Sequence, residues 1–357
     1  MNNEEGRRVS LSHASSLSRS FYPNMDLMRY VLSIAVIIAH VDYLTGYHTP
    51  FPFSSFEAVG GFFAISGFLM YPNYIRHGDT LKYTRQRARR ILPPYVFIVI
   101  SCALGFSLIS DLPISSYFRS KGLAAYIGAN LSFLNWLHPD LPGVFQGDAY
   151  VFPAVNGSLW TMKVEWCLYF SVPCFIWLSS VMKRFSHHWL AMIVIALSII
   201  YRLMFTFLYA STGNEIYNIL RRQIFGQLAF FYVGMLIYFI KDFFMANLWI
   251  ILIAGMVGKI LIPYFSVTLQ IIVEPFAISA IVMALSLLPY DIKCLHHRNN
   301  ISYEMYLFHY PIIQLGIWFG LMSVGKAAMT AYVFLTTTLL AFIVHIGIER
   351  FMIRNGH

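Results

Sequence analysis

The sequence predicts an all-α polytopic membrane protein of about ten transmembrane helices with both termini cytoplasmic. Three observations carry that reading. Of the 357 residues, 58% are hydrophobic and only 11% charged, too few charges to coat a soluble surface of that size. Mostly apolar stretches long enough to cross a hydrocarbon layer recur along the chain. The formal charge of +9 sits mainly in the short segments between those stretches, which suits membrane topology and not a nucleic-acid-binding face.

The expected spans are 28–46, 57–75, 91–111, 159–181, 189–210, 224–241, 246–264, 268–289, 301–323 and 327–349. Residues 1–22 come first; they are polar and serine-rich, lack an apolar core, and read as a mobile cytoplasmic tail with no cleavable signal. The rest, 23–357, reads as a single membrane domain without internal repeats. Basic clusters around Arg7, Arg85–Arg90, Lys183, Lys293 and Arg350 fall on one side. The other side holds Arg119, Lys121, Arg221, Arg222 and Lys326, so the asymmetry places both termini inside. The outer segment 112–158 contains a moderately apolar piece, YIGANLSFLNWL, expected to be interfacial or re-entrant.

Within the first span, DLMRYVLSIAVIIAHVD, Arg29 and His40 lie eleven positions apart. On a helix they share a face, separated by ~16 Å along the axis. Ionisable groups in such a place pair, conduct or do chemistry, although a lone histidine is more often a hydrogen-bonded packing group. The second span carries GGFFAISGF, whose Gly60, Gly61 and Gly67 permit close approach of a helix or a ligand. Ser66, beside them, is of a type that more often bonds back to its own helix than acts as a nucleophile.

Before the third span the segment RQRARRILPP reads as a loop rich in arginine. Arg87 and Arg90 share a face if the helix begins there, and their guanidinium groups suit a cytosolic ligand with several phosphates. The fourth span opens with NGSLWTMKVEWCLYF; Asn156 or Ser158 is a candidate cap, with Lys163 and Glu165 one to two turns inside. Glu165 is expected at a depth similar to that of His40, where a carboxylate can orient an imidazole, unless it forms a packing pair with Lys163 or an arginine. The ninth span begins ISYEMYLFHYPII, with Tyr303, Tyr306 and His309 or Tyr310 at helical spacing. Cys102, Cys167, Cys174 and Cys294 have no metal-ligand spacing, and no metal is expected.

Together these stretches resemble the acyltransferase-3 family of integral membrane acyltransferases, which includes bacterial surface-polysaccharide O-acetyltransferases. The family's basic residue, ten positions and histidine match Arg29 to His40. Its FFxxSG element is FFAISG at 62–67, its RxxR element Arg87 to Arg90, and its SLW-plus-glutamate element Ser158, Leu159, Trp160 and Glu165. Its SYxxYLxH element is Ser302, Tyr303, Tyr306, Leu307 and His309.

The resemblance implies transfer of an acyl group, most often acetyl from acetyl-CoA, to a sugar hydroxyl of a lipid-linked or exported glycan at a bacterial inner membrane. It implies catalytic roles for His40 and Glu165 and acyl-CoA contacts for Arg29, Arg87, Arg90, Ser66 and Gly67. Acceptor contacts fall to Trp160, Lys163, Tyr303 and His309. The expected partners are acyl-CoA, the glycan acceptor and membrane lipid, with no nucleic acid. Some relatives carry an added extracytoplasmic esterase-like domain; none follows His357 here, so the membrane domain or a partner is expected to complete the transfer. His40 acts either as general base or as a transient acyl carrier. The competing class, a transporter or flippase of a lipid-linked sugar, lacks the paired broken helices of inverted repeats.

Overall fold

A computed structural model describes residues 22–182, 185–289 and 300–354. The expected tail, Tyr22 apart, lies outside the described residues, as do Lys183, Arg184, Lys293, Cys294 and Arg298. Among the described residues there is no strand, and a helix of at least 14 residues falls on each expected span. They are α1 (Pro23–Thr45), α2 (Ser55–His77), α3 (Thr80–Gly105), α4 (Trp160–Val181), α5 (His187–Thr212), α6 (Ile224–Phe239), α7 (Leu248–Leu261), α8 (Val267–Ser286), α9 (Ser302–Trp318) and α10 (Lys326–Arg354).

By length and composition, six of these can cross a membrane: α1, α3, α4, α5, α8 and α10. Helices α6, α7 and α9, with 16, 14 and 17 residues, are shorter than a typical span. The protein is an all-α, multi-pass membrane protein.

Local chemistry sets the helix ends. Pro23 lies at the first position of α1 and Asp26 in its first turn, where a missing N–H costs nothing and a negative charge meets the helix dipole. Gly46, at φ +72°, closes α1 as its N–H bonds the Asp42 carbonyl at 2.9 Å. Helix α2 opens on a reciprocal capping box: Ser54 N–H donates to Glu57 Oε2 at 2.7 Å and Glu57 N–H to Ser54 Oγ at 3.3 Å.

The arginine-rich segment corrects the sequence reading. It is no loop: RQRARRILPP lies inside α3, which starts at Thr80. Asp79 starts this helix early by accepting the Lys82 N–H at 2.9 Å, and that bond holds its exposed carboxyl below the ordinary range. Arginine is a good helix former, so nothing between the cap and Pro93 stops the helix. In the 112–158 segment the apolar piece falls partly on a helix, Lys121–Leu131, of 11 residues, too short to cross.

Two compact units are formed by the chain: Met1–Met28 with Phe63–Arg85 and Leu168–His296, and Arg29–Phe62 with Gln86–Cys167 and His297–His357. In the first, α6 is buried on nearly all sides, as expected of a core helix. Helix α2 packs on α6 at a very close crossing. A Cβ at Gly67 would overlap the Phe231 carbonyl oxygen, and one at Gly234 that of Ala64. In the second unit α9 is the central element, with Tyr303 and Leu315 its only residues from Ser302 to Ile317 that are not buried.

Gly67→Ala is expected to lower the unfolding temperature in detergent, consistent with an overpacking cost of about 1–3 kcal/mol. Gly105→Ala, at a helical position with open space around it, is the control and is expected to hold or raise stability by about 0.5–1 kcal/mol. Equal effects of the two substitutions would rule out the close crossing.

Candidate active site

The site is built on α9 and on the part of α1 beyond Arg29, which belong to the same compact unit. Ile301 N–H donates to Tyr30 Oη at 3.0 Å, and Ser33 Oγ donates to the Ser302 carbonyl at 2.9 Å. Two turns further on, His40 Nδ1 lies 2.9 Å from His309 Nε2. These pairs are 271, 269 and 269 residues apart in sequence, so α1 and α9 run parallel in constant register. Seven residues bring a helix back to nearly the same face. The Ser33–Ser302 contact therefore recurs as His40–His309.

Their rings stack with centroids 5.0 Å apart and planes at 25°. Tyr310 meets the His40 ring edge-on at 5.4 Å, and Tyr306 meets His309 at 5.7 Å. Exposure separates the pair: His309 has 0% of its surface accessible, whereas His40 is half-buried. The imidazole a substrate can reach is that of His40. This corrects the expectation that His309 contacts an acceptor, because a ring without accessible surface has no face to offer one.

Helix α4 runs antiparallel to α9. Gly157 faces the Tyr310 ring, Thr161 Oγ1 and Tyr306 Oη are 2.8 Å apart, and Tyr303 Oη lies 3.4 Å from Met162 Sδ. This register sets the depth of Glu165. The histidines lie level with the turn that precedes α4, and Glu165 is eight residues, or about 12 Å, further towards the Ser302 end. The expected Glu165–His40 contact therefore does not form, and the side chain beside His40 Nδ1 is His309. Lys163 and Glu165 are two residues apart and do not face each other on the helix. Both are half-buried, as is Trp160 at the first residue of α4.

A proline explains the join between the two helices. Pro311 lies inside α9 and has no N–H for the Leu307 carbonyl four residues earlier. Asn156 Nδ2 donates to that carbonyl at 2.8 Å while its Oδ1 accepts the Ser158 N–H at 3.2 Å, so one amide caps the turn and fills the gap.

Of the three arginines, Arg87 is buried, Arg29 half-buried and Arg90 exposed. Tyr303 donates to the Ile91 carbonyl at 3.0 Å, just beyond Arg90, and so ties the arginine-bearing helix to α9. Ser66 and Gly67 belong to the other compact unit, where Gly67 serves the α2–α6 crossing.

The sequence model of the acyltransferase-3 family, described as an acyltransferase domain, matches residues 22–348. The chain belongs to this family. A curated relative, the O-acetyl transferase of Shigella phage Sf6, is 30% identical over 149 residues, which cover 40% of this chain and 43% of that protein. The match therefore spans less than half of the relative's length. No solved structure matches the chain.

Two features of this acyltransferase-3 chain escaped sequence reasoning. Gln314, fully buried, donates to the carbonyls of Phe152 and Ala154 at 2.8 and 2.9 Å and ties the outer segment to α9. His345 on α10 pairs with Glu304 at 2.9 Å. Glu304 is an acidic residue inside the ninth expected span, and nothing in the sequence points from it to His345.

The Asn156–Leu307 bond is testable by a double-mutant cycle. Asn156→Ala is expected to lower stability by about 1–3 kcal/mol, the cost of an unsatisfied buried carbonyl. In a Pro311→Ala background the backbone N–H of residue 311 reaches Leu307 and that cost is expected to shrink by about 1 kcal/mol, read from detergent unfolding curves. Strictly additive effects would exclude the bond.

Proposed function

We propose that this acyltransferase-3 protein is an O-acetyltransferase of a bacterial inner membrane that moves an acetyl group from acetyl-CoA to a sugar hydroxyl of a lipid-linked or exported polysaccharide. One observation carries the reading. A reachable imidazole, His40, is held by a buried one, His309, on the helix face that also bears Arg29. The name of the phage relative supports the choice of acetyl and of an oxygen acceptor.

In this reading all ten helices α1–α10 cross the membrane and both termini are cytoplasmic. Arg29, Arg87 and Arg90 then lie on the cytoplasmic side, where they hold the phosphates of the donor. The fit rests on Arg90, exposed and without a side-chain partner among the described residues, and on the ~16 Å from Arg29 to His40, about the reach of a pantetheine arm. The donor supplies an activated acyl carbon as a thioester.

His40 acts as general base. It takes the proton of the acceptor hydroxyl as that oxygen bonds to the acyl carbon, and it returns the proton to the sulfur when the carbon–sulfur bond breaks. Trp160, at the start of α4, lies at the level of Tyr306 and offers an apolar face to the sugar. Glu165 and Lys163 lie nearer the arginines than the histidines and serve positioning on that side.

Wild type and His40→Ala, at matched membrane levels in a host with a defined surface glycan, test the reading by mass spectrometry of glycan-linked esters. Ester formation is expected with the wild type and a fall of at least about 100-fold with the variant. Equal esters from both would remove His40 from the chemistry. With a host that lacks the acceptor, acetyl-CoA turnover by the purified wild type decides the activity.

A further inference from the structure

We propose that His309 is a positioning residue that fixes the tautomer of His40, keeping the proton on His40 Nδ1 and the basic lone pair on Nε2, where an acceptor reaches it. The catalytic consequence rests on the acyl-transfer reading above; the tautomer itself does not.

A hydrogen bond between two imidazoles needs one N–H and one lone pair, so the 2.9 Å contact between His40 Nδ1 and His309 Nε2 admits two arrangements. The surroundings choose between them. His309 Nδ1 is buried and makes no full hydrogen bond; the polar groups beside it are backbone carbonyls of its own helix, at Met305 and Tyr306. A bare lone pair there would face oxygen lone pairs, whereas an N–H faces acceptors. His309 therefore carries its proton on Nδ1, and its Nε2 is the acceptor. His40 Nδ1, which faces that bare Nε2 at 2.9 Å, is then the donor.

The chain of donors thus runs from His40 to His309 to the α9 backbone. His40 Nε2 is left without a proton. When it accepts one, the imidazolium keeps its Nδ1–H bond to His309, so the ring does not turn between taking the proton and giving it back.

Nitrogen-15 spectra of histidine-labelled, full-length protein in lipid bilayers test the proposal, with the His40 signals identified by their loss in His40→Ala. In the wild type His40 is expected to show a protonated Nδ1 and a bare Nε2. In His309→Phe it is expected to shift towards the Nε2–H form, and in His309→Gln, whose Oε1 stands near the place of the histidine Nε2, to return towards Nδ1–H.

Acetyl transfer should follow the same order. His309→Phe is expected to lose about 100-fold in kcat, with KM for acetyl-CoA changed by no more than about twofold. His309→Gln is expected to recover about tenfold of that loss. A packing role alone would not give this rescue. Wild-type His40 protonated at Nε2 overturns the proposal, as does an unchanged tautomer in His309→Phe. Because the spectra need no turnover, they decide the role of His309 even if the protein transfers no acetyl group.

Discussion

In a hydrocarbon environment no water replaces a lost backbone hydrogen bond, and that constraint shapes both compact units. Prolines inside α4, α8 and α9, at 173, 275 and 311, each remove the N–H owed to a carbonyl four residues earlier. Those carbonyls belong to Tyr169, Ile271 and Leu307, and each accepts from a side chain on another segment: Tyr83 at 3.3 Å, Arg202 at 3.5 Å and Asn156 at 2.8 Å. At these three prolines one particular neighbour touches the helix. Arg202 would bring an uncompensated charge to this task, and its second nitrogen pairs with Glu274 at 2.6 Å.

The same economy governs α9, which has almost no accessible face and still carries polar groups all round. Each points at a different neighbour: Tyr303 at the α3 backbone, Glu304 at His345 on α10, Tyr306 at Thr161 on α4, and His309 at His40 on α1. At 100° per residue, Glu304 and His309 leave the helix about 140° apart, so one position on a helix cannot do the work of the other. The helix fixes the arrangement of its unit through these directed bonds, whereas apolar contacts alone would tolerate rotation about its axis.

How much of this was legible in the sequence follows from the range of the interactions. Helix positions depend on local apolar runs and on caps within four residues, so every expected span holds a helix. Of the glycines in GGFFAISGF, Gly67 already marked a close approach. The arginine segment was misread because attention to its charge hid the Gly78–Asp79 break and cap before it. Pairing across the unit was hardest. The His40–His309 bond joins residues 269 apart, and no periodicity within either helix reports the register between them. Glu165 looked plausible beside His40 because both lie near the same ends of their spans, yet a displacement of two helical turns, invisible in either segment alone, decides the matter.

Why the partner of a half-buried imidazole on a membrane helix should be a second imidazole has a physical answer. A carboxylate orients a histidine well in a polar site, but an ionised carboxylate that is fully enclosed must be compensated, and its desolvation is costly. A neutral imidazole offers the same single acceptor at Nε2 and carries no charge while the site rests. In the proposed tautomer its own proton is directed at the backbone of α9, so no further side chain is needed to finish the chain. The cost is a weaker grip on the imidazolium formed when His40 takes a proton, and here geometry helps. The His40 ring is half-buried, while its stacked partner, at 0% exposure, is packed on every side.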